Sequence, residues 1–104
     1  MPRTTRPIFP RLQQIVESLG QRMALARLRR GISQTEMAER TGVTRTTIAS
    51  LEAGKPSVSL AILVRVLGVL GMESDLDLIA ASDEVGQRLA DLRSVPRRRR
   101  RSPA

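Results

Sequence analysis

The chain has 104 residues and a net charge of +8, with no Cys, His, Trp or Tyr and a single Phe. That length supports one domain with a modest core. The missing residue types exclude disulfides, Cys/His zinc sites, His acid–base chemistry and thiol nucleophiles.

The charge is uneven. Residues 1–33 carry seven Arg against one Glu, residues 34–72 are nearly balanced, residues 73–95 carry six acids against two Arg, and residues 97–101 are five consecutive Arg. A basic chain of this kind points to nucleic acid, although charge alone is a weak guide. No apolar run is long enough to span a membrane. The basic start MPRTTRPIFPR lacks the apolar stretch of a secretory signal. The absence of Cys fits a reducing compartment, and a nucleic-acid partner leads to the expectation of a cytoplasmic, nucleoid-associated setting.

Residues 1–9 read as a flexible basic arm, in which Ile8 and Phe9 either fray or tuck against the domain. Pro10 suits a first helical turn. Leu12, Ile15, Val16, Leu19, Met23 and Ala26 then form one helical stripe, ending at Gly31 after Arg27, Arg29 and Arg30. Gly20 lies inside it and marks a place for a kink, since an interior Gly costs about 1 kcal/mol relative to Ala.

Ser33 and Glu36 have capping-box spacing and start a second helix at Gln34, with Met37, Ala38 and Thr41 on one side. Gly42 can take the positive φ that ends it. Thr44 caps a third helix whose inner stripe is Ile48 and Leu51. Two short helices joined around a Gly form a helix-turn-helix. Gly54 and Pro56 stop the third helix, and Ser59 caps a fourth, Leu60–Leu70. Its core stripe is Leu60, Leu63, Val64, Leu67 and Leu70, with Ile62, Val66 and Val69 adding apolar surface on another side. Such a helix needs burial on more than one face, against another subunit or the C-terminal segment.

Residues 73–95 form an acidic extension. Ser74 and Asp77 suit a short helix, while Leu76, Leu78 and Ala80 equally alternate as a strand; the Ala pair and acidic start favour the helix. Ser82 or Asp83 caps a further helix with Val85, Leu89 and Leu92 on one face. Residues 96–104, with the Arg97–Arg101 run, read as a disordered tail that either adds salt-dependent affinity or folds back on the acidic stretch.

Gln34, Ala38, Gly42, Val43 and Ile48 resemble the helix-turn-helix of the Cro/CI-type phage repressors, the XRE family, and the resemblance runs from Leu19 to about Met72 through LRRGISQ and LEAGKPS. It implies an all-α, phage-repressor-like domain of about five helices over residues 10–72. It also implies an ion pair between Arg27 and Glu52, tying the first helix to the third. Gln34 at the leading helix end would then contact a phosphate, as its counterpart does in that family. From PSVSLAILVRVLGVLGM onward the chain resembles HipB-type antitoxins, some of which pair subunits through a short strand in this region. That resemblance implies an autorepressor with a HipA-like kinase toxin as partner.

In this reading the third helix enters the major groove of double-stranded DNA tip first. Arg45 is the candidate for guanine, with Thr46 and Ser50 on the same outward face as further base readers. Ser33, Thr47, Lys55 and Arg30 join Gln34 as phosphate contacts. A homodimer on two half-sites is expected, because one module reaches few base pairs. No catalytic residue, metal site or cofactor motif emerges. The other readings are a free-standing XRE regulator without a toxin and a protein-interaction module that has lost DNA binding.

Overall fold

A computed structural model describes residues 6–94. Residues 1–5 of the basic arm and the tail with Arg97–Arg101 lie outside the described residues. The chain divides into two compact units, residues 1–73 and 74–104.

The first unit is built from four helices: α1 Pro10–Arg29, α2 Gln34–Thr41, α3 Arg45–Glu52 and α4 Leu60–Leu70. Pro10 opens α1, where a missing N–H costs nothing. At its other end Gly31 turns with φ 67°, and Ile32 N–H returns to the Arg27 carbonyl at 3.2 Å. The core gathers Met23 and Ala26 from α1, Met37 and Ala38 from α2, Ile48 and Leu51 from α3, and Val66, Leu67 and Leu70 from α4. Met37 and Ile48 are completely buried, where apolar side chains contribute about 1.5–3 kcal/mol each.

Helix α1 runs through Gly20 without a break. The glycine has a different purpose. A Cβ on it would lie 2.5 Å from the Glu52 carbonyl oxygen and 2.7 Å from that of Leu51. The backbone of α1 therefore lies directly against the C-terminal end of α3. Gly54 repeats the device from the other side: with φ 80°, its Cα faces Glu17, whose own Cα would be 2.5 Å from an added Cβ. Gln13 Nε2 donates to the Gly54 carbonyl at 2.9 Å and fastens the same junction.

Helix α4 packs differently from its predicted stripe. The buried arc is Val66, Leu67 and Leu70, with Ile62, Leu63 and Val69 half-buried. Leu60 and Val64 are 68% and 41% exposed. The arc is rotated toward Val66 because α4 must face α2 as well as α1, and Leu60 sits in the first turn, at the edge of that contact. Val16, Leu19, Leu51, Val58, Leu60 and Leu63 line a shallow cleft of about 260 Å³ beside it.

Glu73–Leu78, which begins at the last residue of the first unit, is a short helix of the 3-10 type, the helical outcome favoured for this stretch over the strand. Among the described residues there is no strand for it to pair with, so short-range bonds satisfy the backbone. Ala80 then takes φ 60°, and Asp83 caps α5, Glu84–Arg93, through Gly86 N–H at 3.0 Å. Val85, Leu89 and Leu92 are all exposed. No helix among the described residues is long and apolar enough to cross a membrane.

The two glycines inside helices α1 and α4 should answer to the same substitution with opposite signs. Gly20→Ala pushes a methyl into backbone that cannot yield and should destabilise by about 1–3 kcal/mol. Gly68 has open space where a Cβ would go, so Gly68→Ala should stabilise by about 0.5–1 kcal/mol. Urea unfolding of the two variants against the parent measures both.

Candidate nucleic-acid interface

Helices α2 and α3 are set by their caps. Ser33 Oγ accepts from Glu36 N–H at 3.0 Å, which starts α2. The Glu36 carboxylate does not complete the box; it pairs forward with Arg40 one turn on. Gly42, at φ 75°, ends α2, and Val43 N–H returns to the Ala38 carbonyl at 3.0 Å. Thr44 Oγ1 accepts from Thr47 N–H at 3.2 Å, and the two hydroxyls lie 2.9 Å apart. Ala38 is buried on α2, which packs against α3, and its small side chain suits a close approach of the two helices.

This frame presents the outer face of α3. Arg45 and Thr46 are exposed; Thr47, Ala49 and Ser50 are half-buried. The first turn of α3 holds no acid. Ser33 and Lys55 are exposed on either side of the motif. Arg30 is exposed too, but its guanidinium donates to the Ala26 carbonyl at 2.8 Å, closing the end of α1. The Thr47 hydroxyl shares a hydrogen bond with that of Thr44, and where Thr44 donates, the Thr47 O–H stays available to a phosphate.

Behind α3 runs a continuous line of polar bonds. Arg27 meets Glu52 bidentately, Nε to Oε2 at 2.6 Å and Nη2 to Oε1 at 2.9 Å. Its third donor, Nη1, reaches the Ile32 carbonyl at 2.8 Å. Both side chains of the pair are 9% exposed. Gln34 Nε2 donates to Glu52 Oε1 at 3.0 Å, and Arg45 Nη1 donates to Gln34 Oε1 at 2.9 Å. The structure thus joins Arg27, Glu52, Gln34 and Arg45, and leaves Thr46, Ser50, Ser33 and Lys55 around them as separate surface groups.

The hydrogen bond to Glu52, and secondarily its charge, hold the Arg27 guanidinium above its usual pKa, against the opposing effect of burial. A raised folded-state pKa on a cation adds stability that is complete below the unfolded value and is lost only as pH rises through the folded value. For an arginine that window lies beyond the working range, so this cation stays charged at every usable pH.

Three side chains have roles that spacing did not reveal. Gln34 is a link between Glu52 and Arg45. Arg65, the only charge on α4, donates to the Thr41 carbonyl at 3.3 Å at the end of α2. Gln13 ties α1 to Gly54. A lone charge in an apolar helix is a hint to the second; the other two depend on contacts between distant segments.

The geometry defines a helix-turn-helix domain whose second helix begins with an exposed Arg45 and no acid in its first turn. A family model described as helix-turn-helix matches residues 23–76. An uncharacterized HTH-type transcriptional regulator of Methanothermobacter thermautotrophicus is 43% identical over 54 residues, covering 52% of this chain and 78% of that protein. The chain belongs to the XRE-type helix-turn-helix family of DNA-binding transcriptional regulators.

Removing Glu52 alone strands a buried guanidinium. Glu52→Ala should cost about 3–5 kcal/mol, while the double change Arg27→Met with Glu52→Leu should recover most of that loss. Thermal or urea unfolding of the single and double variants tests the pair directly.

Proposed function

We propose that this protein is a sequence-specific repressor that binds double-stranded DNA as a homodimer. The observation that carries the proposal is the tip of α3, where Arg45 and Thr46 stand exposed with no acid in the first turn. A helix inserted tip first into the major groove brings its first-turn side chains to base edges. Arg45 has five N–H donors and spends one on Gln34, so a two-pronged contact to guanine O6 and N7 remains open to it. Thr46 and Ser50 read neighbouring edges. Ser33, Lys55, Thr47, Arg30 and the free N–H of the Gln34 amide hold the phosphates.

One such module covers only a few base pairs, so two copies on half-sites about one helical turn apart supply affinity and length. The exposed apolar residues Leu60 and Val64 on α4, and Val85, Leu89 and Leu92 on α5, supply surface of the kind a dimer buries.

At the finer level, the likeness of residues 56–72 and their acidic continuation to HipB-type antitoxins supports an autorepressing antitoxin that binds a HipA-like kinase. A free-standing regulator is the second reading. A kinase-like reading frame next to the gene, and co-purification of its product with this chain, select the first; their absence selects the second.

Selection of bound sites from random duplex DNA should yield a two-fold symmetric consensus, and a featureless pool would refute the proposal. Arg45→Ala should remove about 1–3 kcal/mol of discrimination at one base pair of each half-site. Lys55→Ala should weaken all sequences alike and lower the salt slope of log K by about 1 per subunit. Binding titrations at several salt concentrations, on consensus and singly substituted duplexes, separate the two effects.

A further inference from the structure

We infer that the cleft between α1 and the start of α4 is an effector site for a free medium-chain carboxylic acid, whose head competes with a DNA phosphate for Lys55. The inference rests on the proposed role of Lys55 as a phosphate contact and adds the ligand that releases it.

The cleft arises from the way the chain leaves α3. Gly54, at φ 80°, and Pro56 carry the chain out through Ser57 and Val58 before α4 begins at Leu60. Val16 and Leu19 of α1, Leu51 of α3, and Val58, Leu60 and Leu63 line the resulting space of about 260 Å³. Of these only Leu51 is buried; Val16, Leu19, Val58 and Leu63 are half-buried, and Leu60 is 68% exposed. Apolar surface is thus left in water, and a hydrocarbon chain laid on it gains free energy in proportion to the area covered.

A second cleft, of about 360 Å³, lies on the other side of the same loop, between it and the residues that precede α1. Arg6, Pro7, Ile8, Lys55, Pro56 and Ser57 line it, so Lys55 and Pro56 belong to both clefts. The charged residues among the described linings are Arg6 and Lys55, both exposed cations, and no acid is among them. An apolar wall with a few convergent polar groups is the usual form of a small-molecule site. The complement of this one is an apolar tail with an anionic head: the tail against Leu60 and Leu63, the head on Lys55 with Arg6 beyond it. At about 30 Å³ for each group the size of a water molecule, the first cleft holds a chain of about eight carbons. A lysine ammonium is a compact point charge and satisfies one anion at a time, so a carboxylate seated on it displaces a phosphate. By linkage, DNA on Lys55 disfavours the acid to the same degree.

The test uses the full chain, labelled with nitrogen-15, and three probes: octanoate below its micellar concentration, octan-1-ol and acetate. Octanoate should shift the amide signals of Leu19, Val58, Leu60 and Leu63 saturably. Acetate, which has no tail, should not, and octan-1-ol should bind about 2–5-fold more weakly, the scale of an exposed ion pair. Leu60→Asp alters an exposed side chain in the first turn of α4, where an acid suits the helix, and sets a like charge at the mouth of the cleft. It should abolish the saturable shifts while circular dichroism matches the parent. Saturating octanoate should lower affinity for the selected consensus duplex and reduce the salt slope of log K by about 1 per subunit, with no such effect on Lys55→Ala. Octanoate shifts that are absent or scattered away from the cleft would overturn the inference, as would octan-1-ol binding as tightly as octanoate. Shifts in the cleft without loss of DNA affinity would overturn it too, provided Lys55→Ala itself lowers the salt slope. A Lys55→Ala variant with the parent's slope would instead remove the phosphate contact beneath it.

Discussion

The bidentate pair of Arg27 and Glu52 is the contact on which the rest of the domain depends. It joins residues 25 positions apart, connects α1 to the last residue of α3, and through the Ile32 carbonyl also fixes the entry to α2. Buried ion pairs often add little net stability, because the attraction is offset by the loss of hydration. Their effect is sharper on geometry than on free energy. An alternative packing of α3 against α1 would leave a full charge buried alone, and that penalty excludes it. The pair therefore selects one arrangement among several that an apolar core of Met37, Ile48 and their neighbours could accept.

The pair can close only because the backbones come close. Gly20 lets the carbonyls of Leu51 and Glu52 rest on α1, and Gly54 lets the chain after α3 rest on Glu17. Ala38 does the corresponding work between α2 and α3. Three small residues thus bring three helices near enough for a short carboxylate to reach a guanidinium across them. Small residues and ion pair depend on each other: without the close approach the charges could not meet, and without the charges nothing would hold the polar ends of the helices in that register.

What could be read from the sequence was local. Ser33, Thr44, Ser59 and Asp83 each cap the helix that follows, because a cap needs only its own next three residues. Gly42 takes its positive φ for the same kind of reason. What could not be read was tertiary. The apolar stripe on α4 was legible as a stripe, but which side of it packs depends on where α2 lies, and so Leu60 and Val64 came out exposed. Gly20 looked like a weak point when its neighbour across the domain was unknown. The stretch Glu73–Leu78 carried both helical and strand signals, and the helical one prevailed in its tighter 3-10 form. At the interface, Arg45 and Thr46 could be placed on the outward face from helical period alone, whereas the bonds of Gln34 to Glu52 and Arg45 span 18 and 11 positions and have no local signature.

The line from Arg27 to Arg45 also bears on how a family with one scaffold can serve many sites. The caps, the turn glycine and the close crossings say nothing about which DNA is bound, so they can be held fixed while the outward residues vary. A side chain that only projects from α3 could be exchanged freely. Position 45 is not of that kind here, because it faces an acceptor whose orientation comes from the interior of the domain. A donor at 45 fits that environment; an acid would meet the Gln34 carbonyl with nothing to give it. The scaffold is thus not neutral toward the code it displays. The charge pair that sets the helix packing also narrows the chemistry available at the helix tip, and a change of preference at this position would call for a matching change at Gln34 or behind it.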